Sequence, residues 1–250
     1  MNATEILGSL PPWPEVDFSE FGEVEAQPLS RMQKLAGGFL ARNWVAIPHV
    51  THHDDADITR MEERRRVHNA DNPAAKLTPP ALIAKALIAA LKQFPQFNAS
   101  IDQKTGALIL KKYYNIGFAV ETPGGLLVPV VTNCDTKPAV EIGAELAALA
   151  TKAREKGLST AEMSGGCMTI TSLGHIGGTG FTPIINAPEV AILGVTQARR
   201  LPTPGPYGDI VWRKMLPLSL SYDHRVINGA DAARFVNCVA EQLDGEEIFS

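Results

Sequence analysis

One histidine in this chain is placed where a base would be useful. In Leu218-Ser-Leu-Ser-Tyr-Asp-His-Arg-Val-Ile-Asn-Gly-Ala-Asp231 an alternating apolar run leads into His224, and Asn228-Gly229 follows. Leu216, Leu218, Leu220 and Tyr222 alternate with smaller or more polar residues at the period of a strand, while the sequence from Ala230 reads as a helix. His224 is therefore expected at a strand end, on a rigid support. An imidazole has an ordinary pKa of about 6.5, so a neutral one there can take a proton near physiological pH. Ser172 is the second candidate, because it follows a strand expected over Met168 to Thr171 and precedes Gly174. A serine hydrolase would need a Gly-x-Ser-x-Gly elbow and an acidic partner, and neither surrounds Ser172.

Other residues invite weaker hypotheses. His49, His52 and His53 precede Asp54, Asp55 and Asp57, a composition suited to metals. Strand alternation sends His52 and His53 to opposite faces, so no metal site is expected. His175, close to Ser172, would either line a channel there or bond to the backbone. The glycines from Gly174 to Gly180 follow neither the Gly-x-Gly-x-x-Gly nor the Walker pattern, and no nucleotide loop is expected. Asn228-Gly229 could also be a plain turn requiring positive φ.

The elements that must position these groups are legible as an α/β succession. Pro11, Pro12 and Pro14 around Trp13 mark residues 1–16 as an extended linker or arm. A helix capped by Ser30 is expected to run to Asn43, weakened at Gly37 and Gly38, followed by a strand over Val45 to Thr51. Asp57 should cap a charged helix through Arg66, whose run Glu62 to Arg66 reads as a solvated face. Thr78-Pro79-Pro80 opens a buried helix through Leu91. Strands are expected over Ala107 to Leu110, Asn115 to Glu121 and Leu126 to Val131, the last two joined by a turn at Pro123-Gly-Gly125. A helix from Pro138 to Lys156 and strands over Met168 to Thr171 and Val190 to Val195 complete the pattern. Strands and helices interspersed in this way predict one α/β layered domain with a mixed sheet and flanking helices.

Composition narrows the function classes. A chain of 250 residues, 45% hydrophobic and 20% charged, can bury one substantial core. Its net charge of -4 offers no general attraction to nucleic acid or to an anionic membrane, so neither is expected as a partner. Three cysteines, Cys134, Cys167 and Cys238, lack metal-like spacing and are expected as reduced thiols in an intracellular compartment. No basic segment precedes an apolar run at the N-terminus, and no stretch is long enough to span a bilayer. A soluble cytoplasmic protein is the simplest expectation.

Asp223-His-Arg-x-x-Asn-Gly229 resembles the His-x-x-x-Asp-Gly signature of the chloramphenicol acetyltransferase superfamily, in the longer form found in dihydrolipoyl acyltransferases of 2-oxo acid dehydrogenase complexes. Further blocks agree in the same order: Pro28-Leu-Ser-Arg31, Ile47-Pro-His-Val50, Asn115-Ile-Gly-Phe-Ala-Val120, Gly125-Leu-Leu-Val-Pro-Val-Val131, Gly166-Cys-Met-Thr-Ile-Thr-Ser-Leu-Gly174 and Ala187-Pro-Glu-Val-Ala-Ile-Leu-Gly-Val195. The resemblance implies a chloramphenicol acetyltransferase-like catalytic domain over residues 17–250. It implies transfer of an acyl group between dihydrolipoamide and coenzyme A, both substrates, with the lipoyl group carried on a separate domain. His224 would remove the thiol proton and Ser172 would donate to the tetrahedral oxyanion.

Asn228 stands where the family usually has Asp paired with an Arg matching Arg31, and an amide can still accept from a guanidinium. Asp223, Arg225 and Gly229 would shape the backbone around His224. The resemblance also implies homotrimers, with the histidine and serine of each site supplied by different chains, assembled into a hollow core, a cubic 24-mer being favoured. Lipoyl domains and the dehydrogenase components of the complex would be partners, in bacterial cytoplasm or, in a eukaryote, the mitochondrial matrix. The blocks around Ser172 and His224 look closest to the acetyl-transferring branch. Succinyl, branched-chain or acetoin-derived acyl groups and an inactive scaffold are the alternatives. Scattered Lys and Arg single out no coenzyme A contacts. Ile248-Phe249 would either plug a pocket on a neighbouring trimer or fray.

Overall fold

The computed structural model describes Gly8 and residues 11–249; residues 1–7, 9, 10 and 250, and with them most of the expected arm, lie outside the described residues. Residues 11–16 are exposed and adopt no regular structure. The described elements run α1 (Arg31–Ala46), β1 (His49–Asp57), α2 (Thr59–Asp71), α3 (Pro79–Gln93), β2 (Ala99–Ile101), β3 (Leu108–Leu110), β4 (Ile116–Phe118), β5 (Val120–Thr122), β6 (Gly125–Leu127) and β7 (Val130–Val131). They continue with α4 (Ala139–Glu155), β8 (Met168–Ser172), β9 (Ala191–Val195), β10 (Arg199–Pro204), β11 (Ile210–Asp223) and α5 (Gly229–Asp244). The main sheet has the order β1-β11-β9-β8-β4-β7, and β10 adds to β11. It is mixed, since β8 is parallel to β4 and β9 while β11 is antiparallel to β1, β9 and β10. Helices flank it, as the element pattern predicts.

Local sequence explains where several elements start. Ser30 Oγ accepts from the Gln33 amide while the Gln33 side chain accepts from the Ser30 amide, closing a capping box that begins α1. Pro79 and Pro80 occupy the first turn of α3, where a missing amide hydrogen is harmless. That helix is apolar nearly all round and packs against α4 and α5. Phe97 stacks on Phe235 at 4.0 Å, with Phe94 edge-on to both rings, and this aromatic knot ties α5 to the end of α3.

Differences from expectation follow tertiary pairing. The strand expected over Val45 to Thr51 starts at His49, because Ile47 N–H still donates to Asn43 O and keeps the preceding residues helical. It continues to Asp57 because β11 pairs with every residue of it. Asp57 accepts from both Thr59 N–H and its hydroxyl, but from one position before the N-cap, which is Ile58. The helix it starts continues past Arg66 to Asp71. The strands expected over Asn115 to Glu121 and Leu126 to Val131 each split: β4 and β7 join the main sheet, while β5 and β6 form a separate hairpin turning at Pro123-Gly-Gly125. Strands β2, β10 and the first half of β11 were not anticipated. Pro202 and Pro204 argue against a central strand, and β10 accommodates them at the sheet edge, where a ladder donor can be spared. The apolar C-terminus does not fray: Ile248 is 2% exposed and packs with Phe249 on the chain's own core.

Candidate active site

From Leu216 to Asp223, strand β11 is buried on both faces. Leu216, Leu218, Leu220 and Tyr222 point into the core, as their alternation predicts. The opposite residues Ser219, Ser221 and Asp223 are also buried, because a loop covers them: Phe181 N–H donates to Ser219 Oγ at 3.4 Å and Ile185 N–H to His49 Nε2 at 3.0 Å.

His224 leaves this strand exposed, with its main chain fixed on both sides. Its amide donates to Pro48 O at 3.0 Å, and the Asp223 amide donates to Val190 O at 2.8 Å. The Asp223 carboxylate accepts from the Arg225 amide and guanidinium, and Asp223 O accepts from the amides of Val226 and Ile227. Asp223 and Arg225 thus shape the turn as expected. The His224 ring lies 5.8 Å from the Tyr222 ring, and no side-chain hydrogen bond occupies its nitrogens among the described residues. Asn228 is the N-cap of α5: its Oδ1 accepts from Asp231 N–H at 2.9 Å. Gly229 is the first helical residue and has no positive φ, so the plain-turn alternative is overturned. Arg31 sits on the exposed first turn of α1 and makes no hydrogen bond or ion pair with Asn228 among the described residues.

Ser172 is the last residue of β8, half-buried, and its Oγ accepts a long bond of 3.3 Å from Gly174 N–H. It borders two clefts. One, of about 640 Å³, is walled by Thr78, Pro80, Phe118, Leu146 and His175. The other, of about 430 Å³, is walled by Ile58, Arg65, Thr196, Lys214 and the same His175. His175 therefore lines the channel rather than bonding to backbone. Glu62 joins Arg65 and Lys214 beside the second cleft. Burial raises its carboxyl, but these bonds win and hold it down at about 2. The run Glu62 to Arg66 is thus not a uniformly solvated face: Glu62 is buried beneath it. The sequence could not signal this, because Lys214 is contributed by a distant strand.

No chain thiol competes as a nucleophile. Burial pushes Cys134 up to about 11 and raises Cys167 and Cys238. No three His, Cys, Asp or Glu side chains converge among the described residues; His49 and His53 bond to protein groups instead.

The strand register separates the two reactive groups. Ser172 pairs with Val195 and Val195 with Leu218, whereas Tyr222 pairs with Ala191 at the other end of β9. His224 lies six residues beyond Leu218, about 20 Å along the strand direction at roughly 3.3 Å per residue. One chain brings His224, Asn228, Asp223 and Arg225 together and leaves Ser172 at the opposite end of the sheet. In the roles that the resemblance implies, a base and an oxyanion donor would both have to reach one carbonyl centre at hydrogen-bonding range, which this separation does not allow within a single copy.

The family described as 2-oxoacid dehydrogenases acyltransferase (catalytic domain) matches residues 21–248. The chain is 53% identical over 238 residues to the dihydrolipoyllysine-residue acetyltransferase component of the pyruvate dehydrogenase complex of Cupriavidus necator, covering 92% of this chain and 41% of that protein. It thus spans about two fifths of the length of such curated relatives. Two solved structures superpose with a TM-score of 0.90, each covering 94% of this chain and 97% of the other. One, 50% identical, is the dihydrolipoamide acetyltransferase of Azotobacter vinelandii, studied for the role of a serine, a histidine and an asparagine in its catalytic mechanism; those three are separated in sequence as Ser172, His224 and Asn228 are here. The other, 51% identical, is the cubic core of a pyruvate dehydrogenase multienzyme complex. A chloramphenicol acetyltransferase, 16% identical with a TM-score of 0.53 over 79% of this chain and 89% of its own, shares the fold.

Proposed function

The chain belongs to the 2-oxoacid dehydrogenase acyltransferase catalytic-domain family, and from that premise we propose that it transfers an acetyl group between the dihydrolipoyl group of a lipoyl domain and coenzyme A. His224 takes the proton of the incoming thiol. The thiolate attacks the carbonyl carbon of the acyl thioester on the other carrier, and Ser172 Oγ–H donates to the oxyanion that forms. Collapse breaks the original carbon–sulfur bond, and the departing thiolate recovers the proton from His224. No acyl-enzyme and no redox step are required. A thiol with a pKa near 8.5 is mostly protonated at neutral pH, which is why a base is needed.

The observation that carries this function is the separation of His224 from Ser172 along the sheet. It supports a site completed by a neighbouring copy, as in a homotrimer, and the relative that forms a cubic core supports assembly of trimers into a larger body, a cubic 24-mer being favoured. Lipoyl domains and the dehydrogenase components of a complex are then the partners, and residues 1–16 are a linker leading into a catalytic domain over 17–250. Asn228 caps the helix that follows His224 and keeps its amide donor free to face the neighbouring copy. We place this activity in the cytoplasm of a bacterium.

Co-assembly of His224→Ala chains with Ser172→Ala chains tests the proposal. Each variant alone should be nearly inactive in acetyl transfer from acetyl-coenzyme A to dihydrolipoamide. Mixed assemblies should recover about a quarter of the parental rate, the statistical share of sites that receive both intact groups across a cyclic interface. No recovery in verified mixed assemblies would overturn the shared site.

A further inference from the structure

The geometry points to His49 as a positioning residue for His224, a role that rests on the function proposed above. His49 Nδ1 lies 2.7 Å from Ile47 O, and Ile185 N–H points at His49 Nε2 from 3.0 Å. A carbonyl oxygen can only accept and an amide can only donate, so both bonds are made only by a neutral ring protonated at Nδ1. Asp223, opposite His49 in the strand register, offers no competing charge, since Arg225 holds its carboxylate. The ring also stacks on Trp44, with centroids 5.6 Å apart.

His49 thereby closes a chain of contacts ending at the base. Asn43 Nδ2 donates to Ile185 O at 3.0 Å, so Ile185 is gripped through both its amide and its carbonyl. On its other side His49 holds the Ile47 carbonyl, one residue before Pro48, whose own carbonyl accepts the His224 amide at 3.0 Å. The loop that covers the polar face of β11 and the segment that anchors His224 are thus tied together by one imidazole. Freeing it lets Pro48 shift, and His224 shifts with it. Base catalysis falls steeply with such misplacement, whereas binding in the clefts beside Ser172, at the far end of the sheet, is left unchanged.

The test compares His49→Phe with His49→Gln in assembled protein. Phe keeps the stacking ring and loses both bonds, while Gln can still accept from Ile185 N–H. His49→Phe should lower kcat about 10- to 100-fold with KM for coenzyme A and dihydrolipoamide within about twofold, and His49→Gln should recover most of that loss. A parental kcat in His49→Phe, or a loss expressed wholly in KM, overturns the role. If His49→Phe does not assemble, Asn43→Ser releases Ile185 from the other side and should lower kcat in the same sense; an unchanged kcat there overturns the role equally. His224→Ala serves as the control, because activity surviving in it would refute the proposed base rather than the positioning by His49.

Discussion

The two ends of the central sheet are built for different tasks. Around His224 the main chain is anchored by Pro48, Val190 and the Asp223–Arg225 pair, and the imidazole itself is left exposed, with no side-chain bond among the described residues. Around Ser172 the hydroxyl is only loosely engaged by Gly174, and the surroundings are two clefts walled by α3, α4 and the Glu62–Arg65–Lys214 cluster. One end presents an exposed imidazole on an anchored main chain, beside a cleft of about 490 Å³ walled by Asn43, Asp223 and Arg225. The other presents a loosely held hydroxyl between two clefts that His175 also lines, far from His224. A catalyst made by apposing the two ends from neighbouring copies needs no single chain to distort its sheet to bring them together.

Removing the proposed base should have the largest effect. His224→Ala is expected to lower kcat by about 100- to 10,000-fold, and Ser172→Ala by about 100- to 1,000-fold, with melting temperature and assembly unchanged, because neither side chain supports the core. Steady-state acetyl transfer with parallel calorimetry checks this, and a melting temperature that falls with the rate would show that the ends are not functionally separable. Asn228 sharpens the contrast at the His224 end. Asn228→Ala should cost about 1 kcal/mol through loss of the N-cap, while Asn228→Asp, an equally good cap, should leave denaturant stability unchanged and activity within a few fold.

The smallest effect concerns Glu189, buried at the His224 end of the sheet, one residue before the Val190 carbonyl that accepts the Asp223 amide. Burial pushes its carboxyl up to about 7 despite the Thr169 bond and the nearby Lys111, and its Oε2 has no hydrogen-bond partner among the described protein groups. A folded value above the ordinary carboxylate value means that its stabilising contribution is full below about pH 4.5 and is lost as pH rises through about 7. Glu189→Gln should therefore melt at a higher temperature than the parent at about pH 8, with the gap narrowing by about pH 5. A gap independent of pH would show that Glu189 is not the group that titrates.

Much of this was legible in the sequence because it is encoded locally. The alternation of Leu216 to Tyr222, the Ser30 cap, the early prolines of α3 and the Asp223 to Gly229 motif each depend on neighbours within a turn or two, so residue order determined the mixed α/β layering and the strand-end placement of His224. Long-range pairing was illegible. Nothing near Pro202 announces a strand, because the partner that makes it one is β11. Nothing near Glu62 announces burial, because Lys214 arrives from the same distant strand. The bridging role of His49 likewise depends on Ile185, far away in the chain. Above all, the sequence set out Ser172 and His224 as candidates without fixing their distance. Only the register of β8, β9 and β11 decided that they lie at opposite ends of the sheet, because strand order and register are settled by which hydrophobic faces can be buried together, a property of the whole chain rather than of any segment.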